Sequence, residues 1–307
     1  MSHAHHHGHL GRAHGHGERA QGQRGLTIAL GLTVAIFAVE LIGGIVGGSL
    51  ALLADAGHLL ADAGALGLAL AAGWMASRPS TDRRTFGWQR AEILAALANG
   101  LVLVLIALAT MIEAVRRLQD PSTVEGGVTL VVAMVGLVFN LASGSVLARS
   151  GSGLNVRAAL RHVLADALSS LGVVVAAVAI LVAGWQRADP VASLAIALLI
   201  LFSALSIVRE SIDVLMESAP AGIDVSAMGA AMAGVDGVVE VHDLHVWTVT
   251  SGFPAVAAHI TVRADHEPSL IRRRTAEMLR KHFGVEHSTL QVERAGNERE
   301  LLQIRRT

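Results

Sequence analysis

Two pentapeptides repeat one arrangement of ionisable groups. HLLAD spans His58–Asp62 and HVLAD spans His162–Asp166, each inside a long apolar stretch. Residues four apart lie one turn apart on one helix face. Each His-Asp pair can therefore hold one side of a single ion, and each alone leaves a divalent cation half coordinated. Two such helices face to face supply two imidazole nitrogens and two carboxylate oxygens, a set suited to tetrahedral Zn²⁺. An all-oxygen octahedral set would suit Mg²⁺ or Mn²⁺ better, while Co²⁺, Ni²⁺ and Cd²⁺ stay open on ligand type alone.

Charge points to what such a site does. The two carboxylates of His58, Asp62, His162 and Asp166 are balanced by Zn²⁺, as a low-dielectric setting requires. Once the ion leaves, protons on the imidazoles or elsewhere in the site restore the balance, so metal and protons compete. Histidine suits this role, because its ordinary pKa of about 6.5 lies near ambient pH. The bland alternative is a His-Asp hydrogen bond steadying each helix. Its repetition in two separate apolar stretches argues against that.

Other polar residues share these stretches. Asp55 precedes His58 by three residues, on nearly the same face. It reads either as orienting the imidazole or as lying near the outer interface in water. Asn99 and Asn140 read as interhelical hydrogen bonds. Glu40 admits a proton relay or packing at a helix end or cavity, and packing is the more economical reading.

The elements that position these groups are set by composition. Of the 307 residues, 52% are hydrophobic and 16% charged, which is sparse in charge for a water-soluble domain. Mean hydropathy is +0.54. A net charge of -1 argues against nucleic acid as a partner. The chain has no cysteine, which excludes disulfides and thiolate metal sites. Six stretches, at about 25–47, 50–76, 90–116, 125–148, 158–184 and 188–213, meet the length of roughly 20 apolar residues that a spanning helix needs. Arg12, Arg19, Arg24, Arg78, Arg83, Arg84, Arg90, Arg149, Arg157 and Arg161 fall on one side of the resulting topology, and Arg116, Arg117 and Arg187 on the other. The positive-inside rule puts the first group, and with six spans both termini, in the cytoplasm.

Residues 1–24 carry His3, His5, His6, His7, His9, His14 and His16 among Gly and Ala, and read as a disordered tail able to capture metal loosely. After about residue 215 the pattern changes. Asp224 reads as a helix N-cap, EVHDLHVWTVT and AVAAHITVRA as strands around an SGFP turn, and TLQVE as a last strand. Between them, Ser269 is expected to cap a helix with Ile271, Met278, Leu279 and Phe283 on one stripe, ended by Gly284. The order α-β-β-α-β gives a small two-layer α/β domain. His259 alternates with Ala257 and Thr261, and Gln291 with Glu293, which places them on a polar strand face. His266 and His282 read as surface histidines. The expected organisation is the tail 1–24, a six-helix transmembrane domain 25–214, an α/β domain 215–295 and a charged tail 296–307.

Four segments carry a family resemblance: SLALLADAGHLLAD, RRTFGWQRAEILAALANG, RHVLADALSS and HDLHVWTVTSG. Together with the domain order over about residues 25–295, they resemble the cation diffusion facilitator family of zinc transporters. The resemblance implies a homodimer with six spans per protomer and a cytoplasmic ferredoxin-like regulatory domain. It also implies export of divalent metal from the cytoplasm by proton antiport, and a transport site at His58, Asp62, His162 and Asp166. A His at the first of these positions resembles the zinc-selective members, which discriminate against Cd²⁺. The resemblance further implies regulatory zinc ligands at His242, His259, His287 and Glu293, with His245 and Gln291 as neighbours.

Two features depart from some relatives. The loop after the second stretch has Asp82 but no His, so no second metal site is expected there, and RSGSGLNVR has no His-rich counterpart. The implied protein is not an enzyme: HExxH is missing and the four ligands would fill every metal position, whereas metal catalysis needs an open one. A passive zinc channel or a metal-sensing membrane receptor is the alternative. The expected location is the bacterial inner membrane.

Overall fold

The computed structural model describes residues 31, 33–76, 78–149 and 154–295. The His-rich segment 1–24 and the charged tail 296–307 lie outside these residues, as does part of the RSGSGLNVR loop. Six helices come first: α1, Thr33–Gly47, then α2, Leu50–Ala76, α3, Ala91–Gln119, α4, Gly126–Arg149, α5, Leu154–Ala183, and α6, Ala188–Leu215. Five of them, α2 to α6, are long and apolar enough to cross a membrane, and α1 is a shorter apolar helix within the described residues. Large apolar side chains point outward along them, with Val182 82% exposed and Leu105 and Phe202 also exposed. Hydrocarbon is the solvent such surfaces fit.

Compactness divides the chain into two units. The first takes in the described residues up to Ala71 together with Ala98–Ser206, the second Ala72–Leu97 together with the described residues from Ile207.

Within the first unit, the corner between α1 and α2 is built around a buried acid from α6. Gly48 turns the chain at φ 64, where a side chain would be strained. Asp189 then accepts hydrogen bonds from the backbone N–H groups of Leu50 (2.8 Å) and Ala51 (3.3 Å) and from Ser49 Oγ (2.5 Å). An α-helix leaves its first N–H groups unpaired, and a carboxylate there both satisfies them and complements the helix dipole. Two arginines at this end are used on carbonyls: Arg117 donates to Gly48 O and Arg187 to Leu118 O. That extra anchor accompanies an α3 that runs on to Gln119, past the expected end at 116.

The second unit holds the α/β domain: α7, Val225–Ala233, β1, Val238–Thr250, β2, Phe253–Val262, α8, Pro268–Phe283, and β3, His287–Arg294. The sheet order is β1-β2-β3. β1 and β2 form an antiparallel hairpin, and β3 returns parallel to β2 after the α8 crossover. Val256, Ala258, Ile260 and Val262 on β2 are buried with Met228 and Met232 of α7 and Ile271 and Leu279 of α8. Period-two alternation therefore sends Ala257, His259 and Thr261 to the opposite face. Asp224 caps α7, accepting from Ala227 N at 3.0 Å. Ser269 does not cap α8. Its N-cap position is Glu267, and Pro268 stands in the first turn, where its missing N–H costs nothing. Gly284 ends α8 in the left-handed region at φ 68.

Candidate metal centre

On α2, Asp55, His58 and Asp62 share one stripe, and on α5 Asp166, Ser169 and Ser170 share another. The stripes meet. Ser169 Oγ donates to Asp55 Oδ1 at 2.7 Å and Ser170 Oγ to Asp55 Oδ2 at 3.3 Å. One turn further along α2, His58 Nε2 lies 3.5 Å from Asp62 Oδ2 and 3.4 Å from Asp166 Oδ1. His58, Asp62 and Asp166 each offer a ligand atom, all within 4.8 Å of one another. Their side chains are only 11–20% exposed. The donor set is therefore one imidazole nitrogen between two carboxylates, shielded from bulk water.

His162, the remaining expected ligand, belongs to α5 one turn before Asp166, but its side chain lies outside the described residues. The register is informative. Asp55 pairs with Ser169 and Ser170, and His58 pairs with Asp166. The two helices thus run antiparallel.

Asp55 does not lie in water. It is buried, and both its oxygens accept hydroxyl protons that tie α2 to α5. Asn140 forms the expected interhelical hydrogen bond, donating to Ser170 Oγ at 3.2 Å. Asn99 is buried beside Gly64 of α2. Glu40 is 2% exposed, deep inside rather than at a helix end. Asp189, Ser169 and Ser170 were not distinguished by sequence reasoning. An acid opening α6 and a Ser-Ser pair one turn beyond an Asp are weak signals, because neither reveals its partner on α2.

In the second unit the expected ligands separate into groups. His242 and His259 are cross-strand partners with ring centroids 5.4 Å apart. Between His242 and His245 the strand is bulged, with Asp243 at φ 53. The extra residue moves His245 onto the face of His242, because His245 pairs with Ala257 while His242 pairs with His259. Gln291 pairs with His259 and Glu293 with Thr261 on that same face, and Gln291 Nε2 donates to Glu293 Oε1. His287 pairs with Ala255, four residues along the strand from His259, and its ring is edge-on to Phe86 (5.9 Å) and Phe253 (5.7 Å). The structure therefore brings His242, His245, His259 and Glu293 to one region of the sheet, and leaves His287 apart from them within a protomer. His266 is half-buried rather than a surface residue, and it pairs with Asp236 and Asp265. Its hydrogen bond to Asp265 is the main reason that carboxyl is held below the usual carboxylate range.

Comparison with known proteins agrees with this architecture. The transmembrane-domain model of the cation efflux family matches residues 26–216, and the model of the cation efflux protein cytoplasmic domain matches residues 220–295. The chain belongs to the cation efflux family. This cation efflux protein is 38% identical to the zinc transporter ZitB of Escherichia coli over 296 residues, 95% of this chain and 93% of that protein. It is 38% identical to the cadmium, cobalt and zinc/H(+)-K(+) antiporter of Bacillus subtilis, covering 91% of each. It is 36% identical to the metal cation efflux system protein CzcD of Cupriavidus metallidurans, covering 93% of this chain and 91% of that protein. The chain is thus a multi-pass membrane protein and a divalent cation efflux transporter, not an enzyme.

Proposed function

We propose that the chain exports Zn²⁺ from the cytoplasm in exchange for protons, by alternating access, with His58, Asp62, His162 and Asp166 as the transport site. The observation that carries this reading is the meeting of His58, Asp62 and Asp166 from two antiparallel helices in a water-poor interior. Borderline nitrogen and oxygen ligands favour Zn²⁺, and Co²⁺, Cd²⁺ and Ni²⁺ are further substrates to compare. Two carboxylates that balance the ion when bound need protons when it has gone. The relatives named as a zinc transporter and as a cadmium, cobalt and zinc/H(+)-K(+) antiporter support the same reading.

The protein works in this reading as a homodimer in the bacterial inner membrane, with both termini cytoplasmic. The cytoplasmic-domain match supports a dimer. The topology is supported within the second unit, where the Arg-rich loop after α2 packs with the α/β domain through Phe86 and His287. In that domain His242, His259 and Glu293 take zinc as a regulatory ion, and His287 completes a site by joining residues beyond its own group, such as those of a second protomer.

Purified protein in proteoliposomes holding a pH indicator tests the transport reading. Zinc flux accompanied by opposite proton movement is the expected result. Zinc flux indifferent to an imposed pH gradient would favour a passive channel, and zinc binding with no flux would favour a receptor.

A further inference from the structure

The loop between α2 and α3 carries charge that the fold leaves uncompensated. Arg78, Arg83 and Arg84 are exposed there. Among the described residues none of the three pairs with a carboxylate, and Asp82, in the same loop, meets none of them. Arg90, at the end of that loop, is different: it meets Glu217 at 2.8 Å. Arg263 and Arg294 of the α/β domain likewise hold Asp236 and Glu267. Two of the unpaired arginines lie on tryptophan instead. The guanidinium carbon of Arg78 is 4.1 Å from the centroid of the Trp74 ring, and that of Arg84 is 3.5 Å from the centroid of Trp88. Contact with the ring face holds a guanidinium while leaving its N–H edge for a ligand.

The loop is itself folded. Thr81 and Arg84 exchange backbone hydrogen bonds at 3.1 and 2.9 Å. Gly87 turns the chain at φ 66, and a Cβ there would stand 3.7 Å from Arg78 O. Both arginine–tryptophan pairs therefore belong to one closed loop. Its place in the chain says what can reach it. Trp74 lies in the last turn of α2, whose apolar stretch ends at Met75, and Trp88 lies three residues before α3 begins at Ala91. Both tryptophans stand where a spanning helix leaves hydrocarbon, the depth at which Trp is enriched. Trp74 is 62% exposed. The phosphates of the lipid headgroups lie at that depth. A guanidinium takes a phosphate through two parallel N–H···O bonds. A zwitterionic headgroup brings its own cation, whereas an anionic one leaves its negative charge for the three arginines. Charge complementarity therefore selects anionic phospholipid.

We propose that Arg78, Arg83 and Arg84, held by Trp74 and Trp88, bind the phosphate of an anionic phospholipid at the membrane end of the second unit. The site is separate from the metal centre and independent of which ion is exported or exchanged. Phe86 of the same loop meets His287 of the α/β domain, so a lipid bound here grips the loop on which that domain rests.

Full-length protein in nonionic detergent is titrated with phosphatidylglycerol or phosphatidylcholine, and the lipids retained per protein are counted by native mass spectrometry. Wild type should retain phosphatidylglycerol in preference to phosphatidylcholine, less strongly as salt rises. A variant combining Arg78→Gln, Arg83→Gln and Arg84→Gln should bind phosphatidylglycerol about a hundredfold more weakly at low salt, the scale for three arginines at a charged surface. Lysine at the same three positions keeps the charge but loses the planar fork, and should bind between the two. Arg272→Gln, Arg273→Gln and Arg274→Gln together remove the same charge from the exposed face of α8 and should leave the preference in place. Equal binding by the glutamine variant of the loop and wild type would overturn the proposal. So would an equal loss in the α8 variant, which would reduce the effect to net charge. Displacement of phosphatidylglycerol by inorganic phosphate would overturn the lipid assignment in favour of a soluble anion. Should the loop variants not fold, a wild type that retains both lipids equally would overturn it.

Discussion

At the scale of single residues, transport depends on which atoms hold the ion and what charge they carry. His58 Nε2 is shared between Asp62 and Asp166 at 3.5 and 3.4 Å. Removing either acid leaves too few ligands and half the compensating charge. Asp62→Ala and Asp166→Ala should each lower zinc flux in proteoliposomes by well over tenfold, the scale on which even indirect partners of a ligand act, while the purified variants remain folded. Near wild-type flux in either would remove that residue from the site. His58→Asp changes the set from mixed nitrogen and oxygen towards all oxygen and adds a negative charge. Its expected effect is broader metal acceptance, measured as a lower ratio of Zn²⁺ to Cd²⁺ transport rates. An unchanged ratio would show that this position does not set preference.

At the scale of elements, the centre is only as well placed as the helix that carries most of it. α2 supplies Asp55, His58 and Asp62, and its first turn is held by one buried carboxylate on α6. Asp189→Ala leaves Leu50 N–H, Ala51 N–H and the Ser49 hydroxyl without this acceptor in a buried place. The loss should be on the order of 2–4 kcal/mol, from a missing N-cap and unsatisfied donors. It is measured as a lower thermal midpoint in detergent, with weaker zinc binding as α2 loses its anchor. Asp189→Asn keeps an acceptor oxygen and should lose less. Equal stability of Asp189→Ala and wild type would mean that water takes over the cap. α5 is fixed differently, through Ser169 and Ser170 on Asp55, so the α2–α5 register rests on hydrogen bonds rather than on shape alone.

At the scale of the whole molecule, the second unit joins the cytoplasmic domain to the ends of membrane helices. Glu92, in the first turn of α3, accepts from Thr250 Oγ1 (2.9 Å) and Ser251 Oγ (3.1 Å) at the β1–β2 turn, and Arg90 pairs with Glu217 at 2.8 Å. Zinc bound by the domain would stabilise whichever arrangement of this unit holds metal best, and α3 would feel it through these contacts. Replacing His259 and Glu293 with Ala together should abolish zinc binding by the isolated domain, measured by calorimetry on residues from about 215 to 295, an extent set by its separate core. In full-length protein the same change should lower transport at low zinc and leave zinc binding at the membrane site intact. A wild-type domain that takes no zinc, or a double variant that takes as much, would end the regulatory role without touching the transport site.

The sequence by itself determined which helix face carries His58 and Asp62 and which carries His162 and Asp166, because spacing along one helix is fixed by its pitch. It determined the apolar helices, the α-β-β-α-β order and the polar face of β2 for the same reason: periods of 3.6 and 2 are local. It left open what depends on partners distant in the chain. Whether Asp55 met water or α5 was decided by where Ser169 and Ser170 came to lie. Asp189 looks like an ordinary first-turn acid until α2 is placed against it, and Glu40 looks like a helix-end acid until Gly136 is placed against it. A bulge of one residue at Asp243 put His245 on the face of His242 and His259, against the alternation its spacing predicts. The crossover through α8 set the register that pairs Gln291 with His259 and carries His287 four residues away. Such features are properties of packing between helices and pairing between strands, where a shift of one residue or one turn changes every neighbour while leaving each local pattern intact.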